Sequence, residues 1–174
     1  MHESDRTANL LGATALAVTD LALGGAGRAA GLSATGAAAL VSLAANPGVS
    51  VTELGRRVGL SQSAATRMVD SLEAGGLVER RPSTATRRMV VVWPARAGRA
   101  AARRILESRG EPLADLVGTL EPAERRELSA LLTKLLAGLY ERVGDCEYLC
   151  RLCDRNACTT GGTCPVGAAE RRGA

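Results

Sequence analysis

The spacing of apolar residues predicts helices over most of the chain. Between residues 6 and 24, apolar side chains recur every three or four positions, as they do along one face of a helix. The clustered glycines of residues 24–27 predict the end of this first helix. A second apolar helix is predicted to follow Ser33 and to stop at the Asn-Pro-Gly sequence of residues 46–48.

A short helix, a tight turn and a further helix are predicted next. Ser50 and Glu53 have the spacing of a capping box, in which a hydroxyl and a carboxylate satisfy free amides at a helix start. The turn follows at residues 59–61, and Ser61 is the predicted N-cap of the next helix, which closes at residues 75–76. The apolar stripe of this helix consists of Ala65, Met68, Val69 and Leu72.

The period then changes to that of strands. Residues 77–81 and 88–93 are predicted to form two strands around a polar tip at residues 82–87. Two short helices, a turn, a polar-faced helix and a basic hairpin, in this order, are the outline of a winged helix-turn-helix.

Further helices are predicted after the hairpin. Residues 96–119 are helical in pattern, and Gly110 and Pro112 predict a kink or break. Glu121 and Pro122 open a last long helix, since proline is tolerated in a first turn. One face of this helix carries more leucine than a small domain needs to cover, which predicts a dimer interface at Leu128, Leu131, Leu132, Leu135 and Leu139.

Composition and charge refine this prediction. Hydrophobic residues make up 46% of the 174 residues but aromatic residues only 2%, so the core must be built from Leu, Val and Ala. The net charge is +4 and almost every cation is arginine, whose planar guanidinium suits phosphate and guanine. Residues 1–6 do not resemble a signal peptide, and Asp20 and Arg28 interrupt the apolar stretch of residues 10–45, so a cytoplasmic protein without a membrane span is expected.

The region from Ala37 to Gly98 resembles the MarR family of transcription regulators. With the flanking helices the resemblance covers most of residues 8–143. In the wing, Thr86-Arg87-Arg88 stands where the family often has Asp-x-Arg, so Arg88 matches the arginine and the acid is missing. The motifs that carry the resemblance are Asn46-Pro47-Gly48, residues 52–63 (TELGRRVGLSQS), residues 67–73 (RMVDSLE) and residues 76–80 (GLVER).

The resemblance implies a mainly α fold with a small β-wing, a winged helix-turn-helix within a MarR-like dimer. The predicted regions are an N-terminal dimerisation helix at 1–32, the DNA-binding domain at 33–98, C-terminal dimerisation helices at 99–145 and a cysteine-rich tail at 146–174.

The resemblance also implies how the protein would bind double-stranded DNA. The helix from Ser61 to Ala74 would enter the major groove and the wing the minor groove, and a homodimer would bind a pseudo-palindromic operator with half-sites about 10 base pairs apart. Asp70 would repel phosphate, so it is expected to pair with a neighbouring arginine. The candidate DNA-binding residues are Ser61, Gln62, Ser63, Thr66, Arg67, Arg81, Arg87 and Arg88.

All five cysteines lie beyond residue 145, and the last four form the pattern C-x2-C-x4-C-x5-C followed by proline. Closely spaced cysteines with a following proline are typical of some iron–sulfur sites, whereas structural zinc commonly uses two Cys-x2-Cys pairs. The pattern favours an iron–sulfur cluster over zinc, and it is also compatible with disulfides or with an unliganded, redox-labile tail. The predicted ligands are Cys150, Cys153, Cys158 and Cys164, with Cys146 as a possible substitute.

Residues 150–154, Cys-Arg-Leu-Cys-Asp, resemble a tail found in some MarR-like regulators. The cysteine-rich centre is expected at the dimerisation end of the molecule, away from the DNA, with Arg151 and Arg155 offsetting the thiolate charge. If the last helix continued, Cys146, Cys150 and Cys153 would share one of its faces. Residues 167–174 are expected to be disordered.

These observations predict a DNA-binding transcriptional regulator, a repressor, that senses redox or iron status through the cluster. A first alternative is a regulator with structural zinc that binds a small-molecule effector. The effector would lie in the cleft between the dimerisation helices and the DNA-binding domains. A second is an electron-transfer protein, which would not need a basic wing. An enzyme is not predicted, because His2 is the only histidine and no glycine-rich phosphate loop follows a strand.

Overall fold

The computed structural model describes residues 2–84, 86 and 89–173, with the backbone alone for residues 2 and 25–30. The elements follow in the order α1 (His2–Ala30), α2 (Ala34–Ala45), α3 (Val51–Arg57), α4 (Gln62–Ala74), β1 (Val78–Pro82), β2 (Val90–Pro94), α5 (Arg96–Gly118), α6 (Pro122–Val143), α7 (Cys146–Leu149), α8 (Arg155–Thr159) and α9 (Pro165–Gly173). The predicted fold class, mainly α with a small two-stranded wing, is confirmed.

The first helix is longer than predicted. The glycines of residues 24–27 do not end it: α1 continues to Ala30, and the left-handed conformation that glycine favours occurs at Gly31, with φ of 63°. An interior glycine costs a helix about 1 kcal/mol relative to alanine. Packing of α1 along α5 offsets this cost. A local sequence pattern does not show this packing, because the two helices are distant in the chain.

The helices α2, α3 and α4 begin where the sequence predicts. Each starts after a serine whose hydroxyl accepts a hydrogen bond from the backbone amide three residues further on. The oxygen–nitrogen distances are 3.1 Å at Ser33, 3.1 Å at Ser50 and 3.4 Å at Ser61. These caps satisfy amides that the helix itself leaves free, so they fix the starts of α2, α3 and α4.

The predicted capping box at the start of α3 is only half present. Ser50 caps the helix, but the Glu53 carboxylate accepts hydrogen bonds from Arg56 at 2.8 Å and Arg57 at 2.7 Å. Two guanidinium groups within reach compete successfully with one backbone amide, because charge-assisted hydrogen bonds are stronger. The hydrogen bond from Arg56 is the main reason that the pKa of Glu53 is lowered to about 2.

The wing is an antiparallel pair of strands that starts slightly later than predicted. Val78 pairs with Pro94 at one end and Pro82 with Val90 at the other. An isolated bridge between Val49 and Val92 ties the wing to the loop between α2 and α3.

The core lies under the helix-turn-helix and is aliphatic, as the composition predicts. α2 is buried over most of its length and packs against α1, α3, α5 and β2. The largest fully buried side chains in the described part of the chain are Leu40, Leu43, Leu54, Leu72, Ile105, Val69 and Val92.

α5 runs without a break, so the break predicted at Gly110 and Pro112 is not observed. Proline removes one backbone hydrogen bond and costs an interior helix about 3 kcal/mol. Pro112 nevertheless lies inside the helix that spans Arg96–Gly118. The packing of α5 against both α1 and α2 supplies the compensation.

A substitution at Gly98 tests this packing. A methyl group on Gly98 would lie 1.9 Å from the Leu77 carbonyl oxygen, whereas one on Gly110 in the same helix meets nothing within 4 Å. We expect Gly98→Ala to lower the free energy of unfolding by about 1–3 kcal/mol or more. The control Gly110→Ala should raise it by about 0.5–1 kcal/mol. Urea unfolding at one fixed protein concentration measures both, and equal stability of the two variants would contradict the described packing.

α1 and α6 leave apolar side chains exposed. Leu16 is 73% exposed and Leu131 50%, and the other exposed leucines of these helices are Leu10, Leu11, Leu21, Leu132, Leu135, Leu136 and Leu139. Leu128 of the predicted interface is only partly exposed. Within α1, residues Glu3–Gly24, with a mean hydropathy of 1.2, meet the length and composition of a membrane span, although the sequence predicts none.

The C-terminal segment is folded, contrary to the expected disorder. α6 ends at Gly144, which has φ of 67°, so Cys146, Cys150 and Cys153 do not share a continued helix. The segment instead forms α7, α8 and α9. α9 packs on α6 and α7, and its Val166 and Ala169 are buried. These two buried apolar residues explain why residues expected to be disordered are ordered.

Candidate DNA-binding surface and cysteine cavity

α4 presents a polar, exposed face. The side chains of Gln62 and Arg67 are exposed and make no hydrogen bond or ion pair with other described residues, so they are available to a ligand. The Thr66 hydroxyl donates to the Gln62 carbonyl oxygen at 3.0 Å. Ser61 caps the helix and lies 3.4 Å from the Ser63 hydroxyl. All five predicted residues of this helix start therefore occupy one surface.

An ion-pair network joins the wing to α4. Arg80 of β1 contacts Asp70 at 2.6 Å and forms a second ion pair with Glu73, and its backbone amide donates to Glu73 at 3.1 Å. Asp70 thus has the structural role expected of it. The network fixes the wing relative to the polar face of α4.

Arg81 is the predicted wing residue that the structure describes. It pairs with Glu79 and lies over the Trp93 ring, 5.4 Å from the ring centroid to the guanidinium carbon. Its side chain remains 52% exposed. Arg87 and Arg88 lie outside the described residues.

The five cysteines line one cavity of about 210 Å³. Liquid water occupies about 30 Å³ per molecule, so this volume would hold roughly seven waters. Glu147, Arg155 and Glu170 contribute charged groups to the wall. Among the described residues, no three His, Cys, Asp or Glu side chains converge on a point that could hold a single metal ion. The five thiols instead lie along the wall of the cavity. They belong to Cys146, Cys150, Cys153, Cys158 and Cys164.

The thiols differ in their electrostatic surroundings. A hydrogen bond from Cys153 lowers the pKa of Cys150, and the same hydrogen bond, with burial, raises the pKa of Cys153. Burial and the neighbouring sulfurs raise the pKa of Cys158 to about 11. Burial also raises the pKa of Cys146 to about 11, and its thiol donates to Glu170 at 3.0 Å. In the backbone of α9, the Gly167 amide donates to the Cys164 sulfur at 3.4 Å.

Comparison with known proteins locates the family resemblance. A model of the MarR family matches residues 30–89, which include α2, α3, α4 and β1. Residues 30–89 are therefore similar to the MarR family. The cysteines of residues 146–164 lie outside the matched region.

The relatives agree with this assignment. The transcriptional repressor MprA of Escherichia coli is 32% identical over 114 residues, which are 64% of this chain and 65% of the repressor. The chain thus spans somewhat less than two thirds of that curated relative. The crystal structure of RV1404 from Mycobacterium tuberculosis has a TM-score of 0.66 and 27% identity, and the match covers 83% of this chain and 96% of RV1404. The MarR family protein RV2887 of the same organism has a TM-score of 0.58 and 25% identity, covering 73% and 91%.

The cysteine segment also contacts the MarR-type domain. Glu147 of α7 lies 3.7 Å from Arg57 of α3 and 2.6 Å from Arg155, and Asp145 forms an ion pair with Arg56. The cysteine segment thus packs mainly on α6, one of the predicted dimerisation helices, and its α7 also touches α3, the helix that precedes α4. The contacts with α3 were missed because each joins positions about 90 residues apart in the chain.

Proposed function

We propose that this protein is a transcriptional repressor that binds double-stranded DNA as a homodimer and senses redox or iron status through an iron–sulfur cluster. The four predicted ligands, Cys150, Cys153, Cys158 and Cys164, would hold the cluster. A cytoplasmic location belongs to the proposal, because cysteine thiolates stay reduced there.

The DNA-binding part rests on the similarity of residues 30–89 to the MarR family and on the free polar face of α4. MarR family proteins bind DNA as homodimers, and the E. coli relative is named a repressor. Gln62 and Arg67 have the chemistry to read adenine and guanine edges, and the helix start at Ser61 favours phosphate. Arg81 of the wing, together with Arg87 and Arg88, would add phosphate or minor-groove contacts.

The homodimer rests on the apolar surface of α1 and α6. A contiguous apolar surface on a folded chain typically marks an interface. A second copy that covers these leucines would place two α4 helices at a fixed separation, as a pseudo-palindromic operator requires.

The observation that carries the sensing part is that five cysteine thiols line one cavity. Iron–sulfur clusters are held by cysteine thiolates, and their reduction potentials depend on nearby charge and hydrogen bonds. Arg155 in the wall and the Gly167 amide at Cys164 are such groups. When bound, the cluster would supply a centre that gains or loses an electron. Cys146, which donates to Glu170, is the fifth thiol and a possible substitute ligand.

An anaerobic absorption spectrum of freshly purified protein, with iron, sulfide and zinc assayed on the same sample, tests the cofactor. We expect a brown protein with broad absorption at roughly 320–460 nm and matching iron and sulfide. A colourless protein with about one zinc per chain would contradict the cluster and indicate a structural site. The signal would then be sought in the cavity of about 380 Å³ between the start of α2 and α4, which Arg67 lines.

A further inference from the structure

α7 lies between the cysteine cavity and the helix-turn-helix. It is a single turn, Cys146–Leu149, that begins at Cys146 of the cavity wall and is followed by Cys150, which also lines the cavity. Its other side contacts α3. One short helix therefore both lines the cavity and contacts α3.

Tyr148 of α7 contacts the turn that follows α3. A methyl group placed on Gly59 would lie 2.8 Å from the Tyr148 ring, so the ring packs directly on the glycine backbone. Gly59 has φ of 72° and belongs to the turn between α3 and α4. The Arg151 guanidinium lies over the Tyr148 ring at 4.2 Å and donates to the Tyr148 carbonyl oxygen at 2.7 Å. The ring is thus held against the turn by its own segment.

Two acids that flank Tyr148 attach the same segment to α3. Asp145 accepts a hydrogen bond from the Tyr148 amide at 3.0 Å and pairs with Arg56. Glu147 lies 3.7 Å from Arg57, whose side chain is only 12% exposed and whose buried Nη1 has no hydrogen bond among the described residues. Ion pairs at partly buried positions resist screening by salt better than exposed pairs do.

The cavity wall continues into these contacts through Glu147 and Arg155. Both side chains line the cavity, and they pair with each other at 2.6 Å. The Glu147 carboxylate therefore faces Arg155 at the cavity and Arg57 on α3. Asn46, the cap of α2, also contacts Glu147 at 3.4 Å.

We propose that Tyr148, assisted by Asp145 and Glu147, supports the turn of the helix-turn-helix. When the cysteine segment is well ordered, this support holds α4, the helix proposed to contact the bases, in position. These three are positioning residues, since none of them is assigned to contact DNA. This buttress stands on the contacts described here; only the signal that would act through it rests on the proposed function.

Hydrogen exchange of the full-length protein tests the buttress at the turn itself. The Gly59 amide donates to the backbone carbonyl oxygen of Arg56 at 3.2 Å, and the Leu60 amide donates to that of Gly55 at 2.9 Å. Tyr148→Ala removes the ring, and we expect exchange at these amides to become about tenfold faster through easier local opening. Tyr148→Phe retains the ring and should exchange as the wild type does. Unchanged exchange in Tyr148→Ala would overturn the proposal.

Glu147→Gln provides a second variant of nearly unchanged size that loses the charge between Arg57 and Arg155. We expect faster exchange at the same amides, by a smaller factor than in Tyr148→Ala. Iron and sulfide content is measured on every variant, so that loss of the cofactor is not mistaken for loss of the contact. Exchange as in the wild type for both Glu147→Gln and Tyr148→Ala would show that α7 does not support the turn.

DNA affinity before and after cofactor removal by a chelator separates this proposal from the sensing function. If Tyr148→Ala loosens the turn while cofactor removal leaves wild-type affinity unchanged, the buttress is supported and the sensing role is wrong. If cofactor removal changes the affinity equally in the wild type and in Tyr148→Ala, sensing is supported and the buttress as its route is overturned.

Discussion

Arg67→Ala is expected to weaken binding to the protein's preferred duplex by about 5- to 150-fold, which corresponds to the roughly 1–3 kcal/mol of one good bidentate contact to guanine. The structure leaves this side chain exposed on α4 without an ion pair among the described residues. A free guanidinium can bind a base edge without first breaking an internal contact. Binding is measured at fixed salt with a duplex selected from a random pool by the wild-type protein.

Two controls define what Arg67 contributes. Arg67→Lys retains the charge but loses the planar fork, so it should lose sequence preference more than it loses affinity for random duplex. Arg104→Ala removes an equally exposed arginine from α5, outside the surface assigned to DNA, and should bind as the wild type does. Equal losses for Arg67→Ala and Arg104→Ala would mean that only general charge matters and that α4 does not read the bases.

Cys150→Ser with Cys153→Ser is expected to eliminate bound iron and sulfide, since it removes two of the four proposed ligands. It should also loosen the segment from α7 to α9. The buried apolar residues of that segment are few, with Val166 and Ala169 the most buried of them. Where so little apolar surface is buried, metal binding typically contributes much of the folding free energy. Metal assays and limited proteolysis of the full-length protein measure the two effects.

The matched control for this double variant is Cys146→Ser. Cys146 donates to Glu170 rather than being assigned to the cofactor, so this variant should keep the iron and sulfide of the wild type. A loss of iron in Cys146→Ser would make Cys146 a ligand in place of one of the four. Normal iron content in the double variant would contradict the proposed ligand set.

The helix-turn-helix and the wing could be predicted closely because their signals are local. Ser33, Ser50 and Ser61 each cap a helix through an amide three residues away, which is a distance that a sequence pattern can show. The apolar stripe through Val69 and Leu72 faces the core as its period indicates. The polar face of α4 follows directly from that stripe.

The remaining features depend on contacts between distant parts of the chain. The helix α1 continues through its glycines and α5 continues through Pro112 because the two helices pack along each other. The ring of Tyr148 meets Gly59 across almost 90 residues of sequence, so no local pattern pairs them. Grouping of the cysteines was predictable from their spacing. The attachment of their segment to α3 was not, because it depends on where α6 ends.

One pair of Kd values tests whether the cysteine centre controls DNA binding. The Kd of the wild-type protein for one selected duplex is measured anaerobically at fixed salt, first as purified and again after the cofactor is removed by a chelator. We expect the two Kd values to differ by about 5- to 150-fold, the usual range for coupling between two sites. The same Kd in both states would contradict such control and leave the cysteine segment a structural support for the helix-turn-helix.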